Sequence, residues 1–242
     1  MLKLESMKPI EFQCQVNSHK MITPTVFETS FETHQPLPFD AGQFVSVIVP
    51  GAGPGGRDLR RAYSIASSPE NQHIELCVKI VENGPGTSYL NRLRPGDSLR
   101  VLAPYGTFVY EEKSGRTVCF ISTGTGIAPF RSMAFSRKFQ QNLPPRSYCL
   151  LGVRTEDEIL YEQQFASIPN MAFIPTVSQP TSDWNGFRGR VTDYLKSVGS
   201  DFPWLETEFY LCGNGGMITE VKALLSEKGV SKASIHQEIY YK

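Results

Sequence analysis

Arg116-Thr117-Val118-Cys119-Phe120-Ile121-Ser122-Thr123-Gly124-Thr125-Gly126-Ile127-Ala128-Pro129 is the stretch on which the fold turns. Its first six residues make a β-branched, apolar run of the kind found in a strand covered on both faces. Gly124 and Gly126 then break the run, and an apolar-periodic segment to about residue 139 predicts a helix. Strand, glycine turn and helix in that order open a parallel α/β unit. The two glycines also let a diphosphate approach the backbone at the head of a helix, where the dipole favours negative charge. The third glycine of the dinucleotide fingerprint is absent, and Pro129, which suits a first helical turn, stands there instead.

Downstream the same alternation continues. Strands are expected at 148–151, 172–177 and 208–212, and helices at 156–166, 191–198 and 217–227, which together predict a doubly wound parallel sheet. The last strand runs into Cys212-Gly213-Asn214-Gly215-Gly216-Met217, a second glycine-rich loop at the carboxyl edge of that sheet, where ligands of open α/β sheets bind. Cys212 there is either a packed core thiol or a contact for a reactive ring.

Upstream the texture differs. Short runs at 12–16, 26–31, 43–49, 62–66, 74–81 and 98–102 read as strands, cut by Pro36, Pro38, Asp40-Ala41-Gly42, Pro69-Glu70-Asn71 and Pro95-Gly96-Asp97. Many short strands argue for an antiparallel barrel or sandwich. Residues 50–57, with four glycines and two prolines, read as a loop or hairpin tip. The expected organisation is therefore α+β with two domains: an antiparallel Greek-key β-barrel over 1–112, then a doubly wound parallel α/β domain over 113–242.

Two stretches of the barrel carry chemistry. In Arg61-Ala62-Tyr63-Ser64-Ile65-Ala66-Ser67-Ser68, strand alternation sends Arg61 and Tyr63 to one side and Ala62 and Ser64 to the other. A guanidinium beside a phenol ring suits a flat, phosphorylated ligand, although an amphipathic strand with a solvated arginine fits these residues too. Ser67 and Ser68 are expected to turn the chain before Pro69. About twenty residues on, Gly84-Pro85-Gly86-Thr87-Ser88 heads a short helix whose free N–H groups could meet an anion, or could simply be a capped surface turn.

Composition excludes several classes. The 242 residues are 40% hydrophobic and 20% charged, with 24 Lys plus Arg against 24 Asp plus Glu, which is ordinary for a globular protein. No basic run recommends a nucleic-acid surface. No apolar run approaches the roughly 20 residues that span a bilayer, and residues 1–10 lack a signal-like apolar core, so a cytoplasmic protein is expected. Cys14, Cys77, Cys119, Cys149 and Cys212 lie at least 30 residues apart, too far for an iron–sulfur or metal spacing, and are expected to be reduced and mostly buried in strands.

Taken in order, Arg61-Ala62-Tyr63-Ser64, Gly84-Pro85-Gly86-Thr87, residues 123–129 and Cys212-Gly213-Asn214 resemble the flavin, flavin-phosphate, dinucleotide-phosphate and nicotinamide-side motifs of the ferredoxin–NADP reductase family. The ending Glu238-Ile239-Tyr240 is similar to the acidic-then-aromatic close of many members. The resemblance covers nearly the whole chain.

It implies a barrel that binds FAD and an α/β domain that binds NADH or NADPH. Arg61 would neutralise the FAD diphosphate, Tyr63 would stack on the isoalloxazine, and Ser64 would hydrogen-bond near its reacting nitrogen. Ala62, Val78, Gly86, Thr87 and Ser88 would complete that site. Gly124, Thr125, Gly126 and Pro129 would hold the dinucleotide pyrophosphate, with Arg154 and Ser178 further along the coenzyme. Cys212 and Gly213 would sit beside the nicotinamide, Glu238 would act as a polar or proton-handling partner, and Tyr240 or Tyr241 would cover the flavin face. Ser64, Cys212, Glu238 and Tyr240 are thus the implied catalytic set, with no metal.

Gln179 follows Ser178 where NADP-selective relatives often have arginine, which leans the expectation to NADH, although Arg154, Arg188 or Arg190 could supply the missing cation. The implied acceptor is a ferredoxin or flavodoxin-like protein, with Arg92, Arg94 and Arg100 as a complementary face, or an oxygenase component. A flavin reductase and an electron-transfer subunit of a larger oxygenase or dehydrogenase are the alternatives.

Overall fold

The computed structural model describes residues 8–241, with the Tyr241 side chain outside that description. Six antiparallel strands come first: β1 (Ile10–Met21), β2 (Val26–Thr33), β3 (Phe44–Val49), β4 (Leu59–Ser64), β5 (Ile74–Lys79) and β6 (Ser98–Tyr105), with helix α1 (Pro85–Arg92) inserted before the last. Their spatial order is β4-β3-β6-β1-β2-β5. A single bridge, Ile65 to Leu76, joins the two outer strands and closes the sheet into a barrel. Ala66 reinforces it by donating to the Glu75 carbonyl at 2.7 Å. Beyond that bridge β4 and β5 part, which leaves an open seam on the barrel wall.

Inward-facing alternation fills the barrel with Phe12, Phe27, Val45, Ile65, Leu76, Val78, Leu90 and Val101. The glycine- and proline-rich segment 50–57 is the tip of the β3–β4 hairpin, as expected, with a short 3₁₀ turn at Pro54–Gly56.

The second sheet is parallel throughout, in the order β10-β9-β8-β7-β11-β12. Its strands are β7 (Thr117–Thr123), β8 (Ser147–Val153), β9 (Met171–Val177), β10 (Phe187–Arg188), β11 (Thr207–Asn214) and β12 (Ile235–Tyr241). The intervening helices are α2 (Ala128–Ala134), α3 (Arg137–Gln141), α4 (Glu162–Ala166), α5 (Val191–Ser197) and α6 (Gly215–Glu227). The chain leaves β7 toward β8 on one side and returns to β11 on the other, so the topological switch point lies at the carboxyl ends of β7 and β11.

Three elements differ from the sequence expectation. The helix expected over 127–139 is two, because the Ser136 hydroxyl accepts from the Phe139 N–H at 3.3 Å and caps a new helix, α3. The helix expected over 156–166 is a 3₁₀ turn and the short α4, since Tyr161 takes a left-handed backbone (φ 58°) that breaks the run. The carboxyl-terminal segment, read above only as an acidic residue followed by an aromatic one, is strand β12. Half-buried His236, Glu238 and Tyr240 alternate with exposed Gln237 and Ile239, as on a sheet edge with one face solvated.

All five cysteines are buried free thiols. A continuous apolar cluster joins the two sheets, with Val26, Ala41, Ala66, Cys77, Phe108 and Tyr110 against Phe120, Phe130 and Tyr210. Among the described residues no helix is long and apolar enough to cross a membrane.

Candidate functional site

The barrel seam and the switch point of the parallel sheet meet through the Ser64–Glu238 bond, and most, though not all, of the expected site residues lie on either side of it. On the barrel side, Arg61 and Tyr63 both lie against Gly86 at the head of α1. A Cβ at residue 86 would stand 2.4 Å from Tyr63 Oη and 2.8 Å from Arg61 Cγ, so only glycine leaves this cradle open. Arg61 is exposed, and its Nη1 donates to its neighbour's carbonyl, Arg60 O, at 2.9 Å. Burial pushes the Tyr63 hydroxyl up to about 12, with Arg61 acting the other way, so the phenol stays neutral, and its half-buried ring packs against the barrel core.

The other expected barrel residues divide. The Thr87 hydroxyl is engaged by its own loop, 3.2 Å from the Val81 and Gly84 carbonyls, leaving the first-turn amides of α1 as the donors. Ser88 donates its N–H to Gly84 O at 2.9 Å. Ala62 is exposed on β4. The Val78 side chain is in the barrel core at 1% exposure, so it can offer a ligand only backbone. Ser67 and Ser68 do more than turn the chain: both are buried, and Ser67 Oγ accepts from the Glu75 N–H at 3.1 Å.

On the sheet side each glycine has a separate task. A Cβ on Gly126 would meet the Cys212 carbonyl oxygen at 2.4 Å and the Gly213 Cα at 3.0 Å, so this residue lets the loop after β7 touch β11. Gly124, at φ 51°, has nothing within 4 Å of an added Cβ and borders open space. Gly213 (φ 133°) packs on Thr123, whose hydroxyl accepts from the Asn214 N–H at 3.1 Å. Thr125 is half-buried, and Pro129 is buried in the first turn of α2. Thr123 lies within the 123–129 motif, where the sequence assigns it no role of its own; in the structure its hydroxyl ties the two glycine loops together.

The two sides meet at Ser64, whose hydroxyl donates to the Glu238 carboxylate of β12 at 3.1 Å. Glu238 sits opposite Cys212 in the β11–β12 register. A register shift follows, between Gly213 and Asn214, that bulges β12 at Tyr240. Burial raises the Glu238 carboxyl to about 7 against the smaller opposing effect of Ser64. Cys212 is driven well up by burial and by the neighbouring carboxyl, so it is a neutral thiol. Tyr240 packs on the cluster shared by both sheets, and among the described residues its buried hydroxyl has no hydrogen-bond partner of good geometry. An orphaned buried hydroxyl costs roughly 1–3 kcal/mol. Here the hydroxyl lies beside the Ser64 and Cys212 side chains. Tyr241, the other candidate ring, lies outside the described side chains.

Arg154 and Ser178 are not part of this knot. Both are exposed at the carboxyl ends of β8 and β9, beside a cleft of about 540 Å³ lined by Thr155, Glu156, Asp157, Thr181, Asp183 and Trp184. Glu156 holds Thr181 through its N–H (2.8 Å) and hydroxyl (2.6 Å). The Arg188 guanidinium is engaged by the Ser182 and Trp184 carbonyls at 2.9 and 2.6 Å.

A cationic cradle with an aromatic face on a barrel seam, aimed at a glycine-lined switch point, defines a two-module flavin and dinucleotide oxidoreductase. Residues 13–110 match the family model for an oxidoreductase FAD-binding domain, and 120–223 that for an oxidoreductase NAD-binding domain. The chain is 31% identical to ferredoxin–NADP reductase B of Sorangium cellulosum, over 95% of its own length and 97% of that protein's. It is 30% identical to the phenol 2-monooxygenase reductase component of a Pseudomonas species, spanning 91% of this chain but only 63% of that one. Among solved structures, the Amycolatopsis cytochrome P450 reductase GcoB superposes with a TM-score of 0.85 at 28% identity, covering 97% of this chain and 71% of that one. The chain belongs to the ferredoxin–NADP reductase family.

Proposed function

We propose that this flavoprotein reductase moves hydride between a nicotinamide dinucleotide and FAD, and passes single electrons to a separate ferredoxin or flavodoxin-like protein or oxygenase component. The observation that carries this reading is the Ser64–Glu238 bond, which ties the flavin strand of the barrel to the strand beside Cys212. The residues present fit both cofactors: Arg61 and the α1 amides for a diphosphate, Tyr63 for a flat ring, and Gly124 with open space before it for a pyrophosphate. When bound, FAD accepts two electrons together and releases them singly. The protein's part is to hold both sites at reacting distance. Purified protein is expected to be yellow and to bleach when NADH is added without oxygen. A colourless preparation that never takes up FAD would sink the reading.

Glu238 controls a proton. As a carboxylate it fixes the Ser64 hydroxyl proton on itself by a charge-assisted bond. Once protonated it releases Ser64 to donate to the cofactor. Turnover at saturating coenzyme is expected to rise as pH falls through about 7, and this inflection is expected to vanish in Glu238→Gln. An unchanged profile in that variant would refute the assignment. The raised value also has a stability sign: the folded state favours the protonated carboxyl, so this contribution is full below 4.5 and is lost as pH rises through about 7.

For the coenzyme, the cleft beside Arg154 and Ser178 supports NADH. Asp157 and Asp183 are exposed on its lining, and a 2′-phosphate placed there meets carboxylates, whereas a free ribose hydroxyl can donate to them. Catalytic efficiency with NADH is expected to exceed that with NADPH by about a hundredfold, a gap of about 2.7 kcal/mol. A hundredfold preference for NADPH overturns this.

For the acceptor, Arg92 and Arg94 are the better candidates, because Arg100 is already paired with Asp58 (2.5 Å) and Glu11 (3.2 Å). The relationship to a monooxygenase reductase component supports an oxygenase partner as the second reading. Five reduced, buried thiols support a cytoplasmic setting. We place the domain boundary at 112/113, supported by the segment between β6 and β7 in which neither sheet has a strand.

A further inference from the structure

Arg131 belongs to none of the motifs above, yet it touches both modules. It lies on α2, five residues after Gly126, with its side chain 14% exposed. Its Nη1 donates to the Ala66 carbonyl at 3.0 Å and to the Glu75 carboxylate, both on the barrel. Its Nε donates to Gln164 Oε1 of α4 at 2.7 Å, on its own side. The guanidinium also stacks on the Tyr161 ring, 4.8 Å from the centroid. Tyr161 in turn donates its hydroxyl to Glu28 of β2 at 2.9 Å, and Glu28 pairs with Lys20 at 2.8 Å. The left-handed backbone of Tyr161, unusual for a bulky residue, is what aims that ring across the interface.

Placement gives this network its meaning. Ala66 follows Ser64 by two residues and forms, with Glu75, the end of the barrel closure. Arg131 therefore connects the loop that bears Gly124 and Gly126 to the strand that bears Arg61, Tyr63 and Ser64 through very few covalent bonds. The apolar cluster between the modules already holds them together, but apolar contact is non-directional and tolerates sliding. A planar guanidinium fixed by a carbonyl, a carboxylate, an amide and a ring fixes an angle as well as a distance.

We propose that Arg131 is a positioning residue that sets the spacing and angle between the two cofactor sites, an inference that rests on the two-cofactor reading above. Misplacement of reacting groups by about 1 Å costs on the order of a hundredfold in rate, while each site keeps its own ligand contacts. In Arg131→Met the hydride-transfer rate at saturating NADH is expected to fall about 10- to 100-fold, with coenzyme KM changed less than about threefold and FAD retained. The nicotinamide–flavin charge-transfer absorbance, which reports ring apposition, is expected to weaken. In the protein without cofactors, amide exchange around Ala66–Glu75 is expected to rise at least tenfold, while the barrel core around Phe27 and Val101 is unchanged.

Wild type that binds no FAD would defeat the reductase reading, and the cofactor-free comparison then decides for Arg131: amide exchange around Ala66–Glu75 unchanged in Arg131→Met would overturn its role at the interface. Wild type that reduces FAD, together with Arg131→Met at a rate within twofold, would overturn the positioning role. Should Arg131→Met fail to fold, Arg131→Lys decides: it keeps a cation for Glu75 but cannot reproduce the fork, and a wild-type rate there overturns the proposal equally.

Discussion

Replacing Gly126 by alanine is expected to lower hydride transfer about 100-fold, while alanine at Gly124 is expected mainly to raise the coenzyme KM. At Gly126 the new methyl would stand 2.4 Å from the Cys212 carbonyl oxygen and 2.8 Å from its carbon, and backbone of a central strand cannot rotate aside. β11 must shift, and Cys212 shifts with it, as does Glu238 opposite it on β12. Overpacking of this kind costs roughly 1–3 kcal/mol. At about 2–4 °C per kcal/mol for a chain of this size, Tm should drop by about 2–12 °C. At Gly124 the methyl meets no protein atom within 4 Å. It carries only the strain of φ 51°, roughly 1–2 kcal/mol, and intrudes on the space proposed for the pyrophosphate. The two variants therefore separate in steady-state kinetics, kcat for one and KM for the other. Equal kcat and KM in both would show that the two glycines are interchangeable and that the division of labour is wrong.

Arg61→Ala is expected to weaken FAD binding by about two orders of magnitude without unfolding the protein. The guanidinium is exposed and among the described residues bonds to a neighbouring carbonyl alone, at 2.9 Å, so the free protein loses almost nothing with it. A charge-assisted bond to phosphate contributes roughly 1.5–3 kcal/mol, which corresponds to roughly 10- to 150-fold in affinity. Lysine restores the charge but not the bidentate geometry, so Arg61→Lys should recover part of the loss. Titration of the FAD-free proteins, followed by flavin fluorescence, measures this directly. Retention of FAD by Arg61→Ala at wild-type affinity would remove Arg61 from the phosphate site.

Much of the architecture is legible in local pattern. Period-two runs punctuated by Pro36, Asp40-Ala41-Gly42 and Pro95-Gly96-Asp97 specify an antiparallel barrel, and continuous apolar strands followed by glycine turns specify a parallel sheet, because both signals arise from near neighbours. The break at Ser136 is a local cap inside an otherwise helical pattern, whereas the other two departures are decided by distant contacts. Tyr161 breaks its helix because its hydroxyl is held by Glu28, more than a hundred residues earlier. Segment 235–241 is a strand because β11 offers it an edge.

The sequence by itself determined the two-module plan, the strand carrying Arg61, Tyr63 and Ser64, and the glycine turns at 124–126 and 213–216, since each depends on residue type and spacing within one short stretch. Only the tertiary structure decided that Ser64 meets Glu238, that Gly126 makes room for β11 while Gly124 borders open space, and that Arg131 bridges the modules. Those facts depend on pairs between about 55 and 175 residues apart, and such a pair leaves no mark on either of its local stretches.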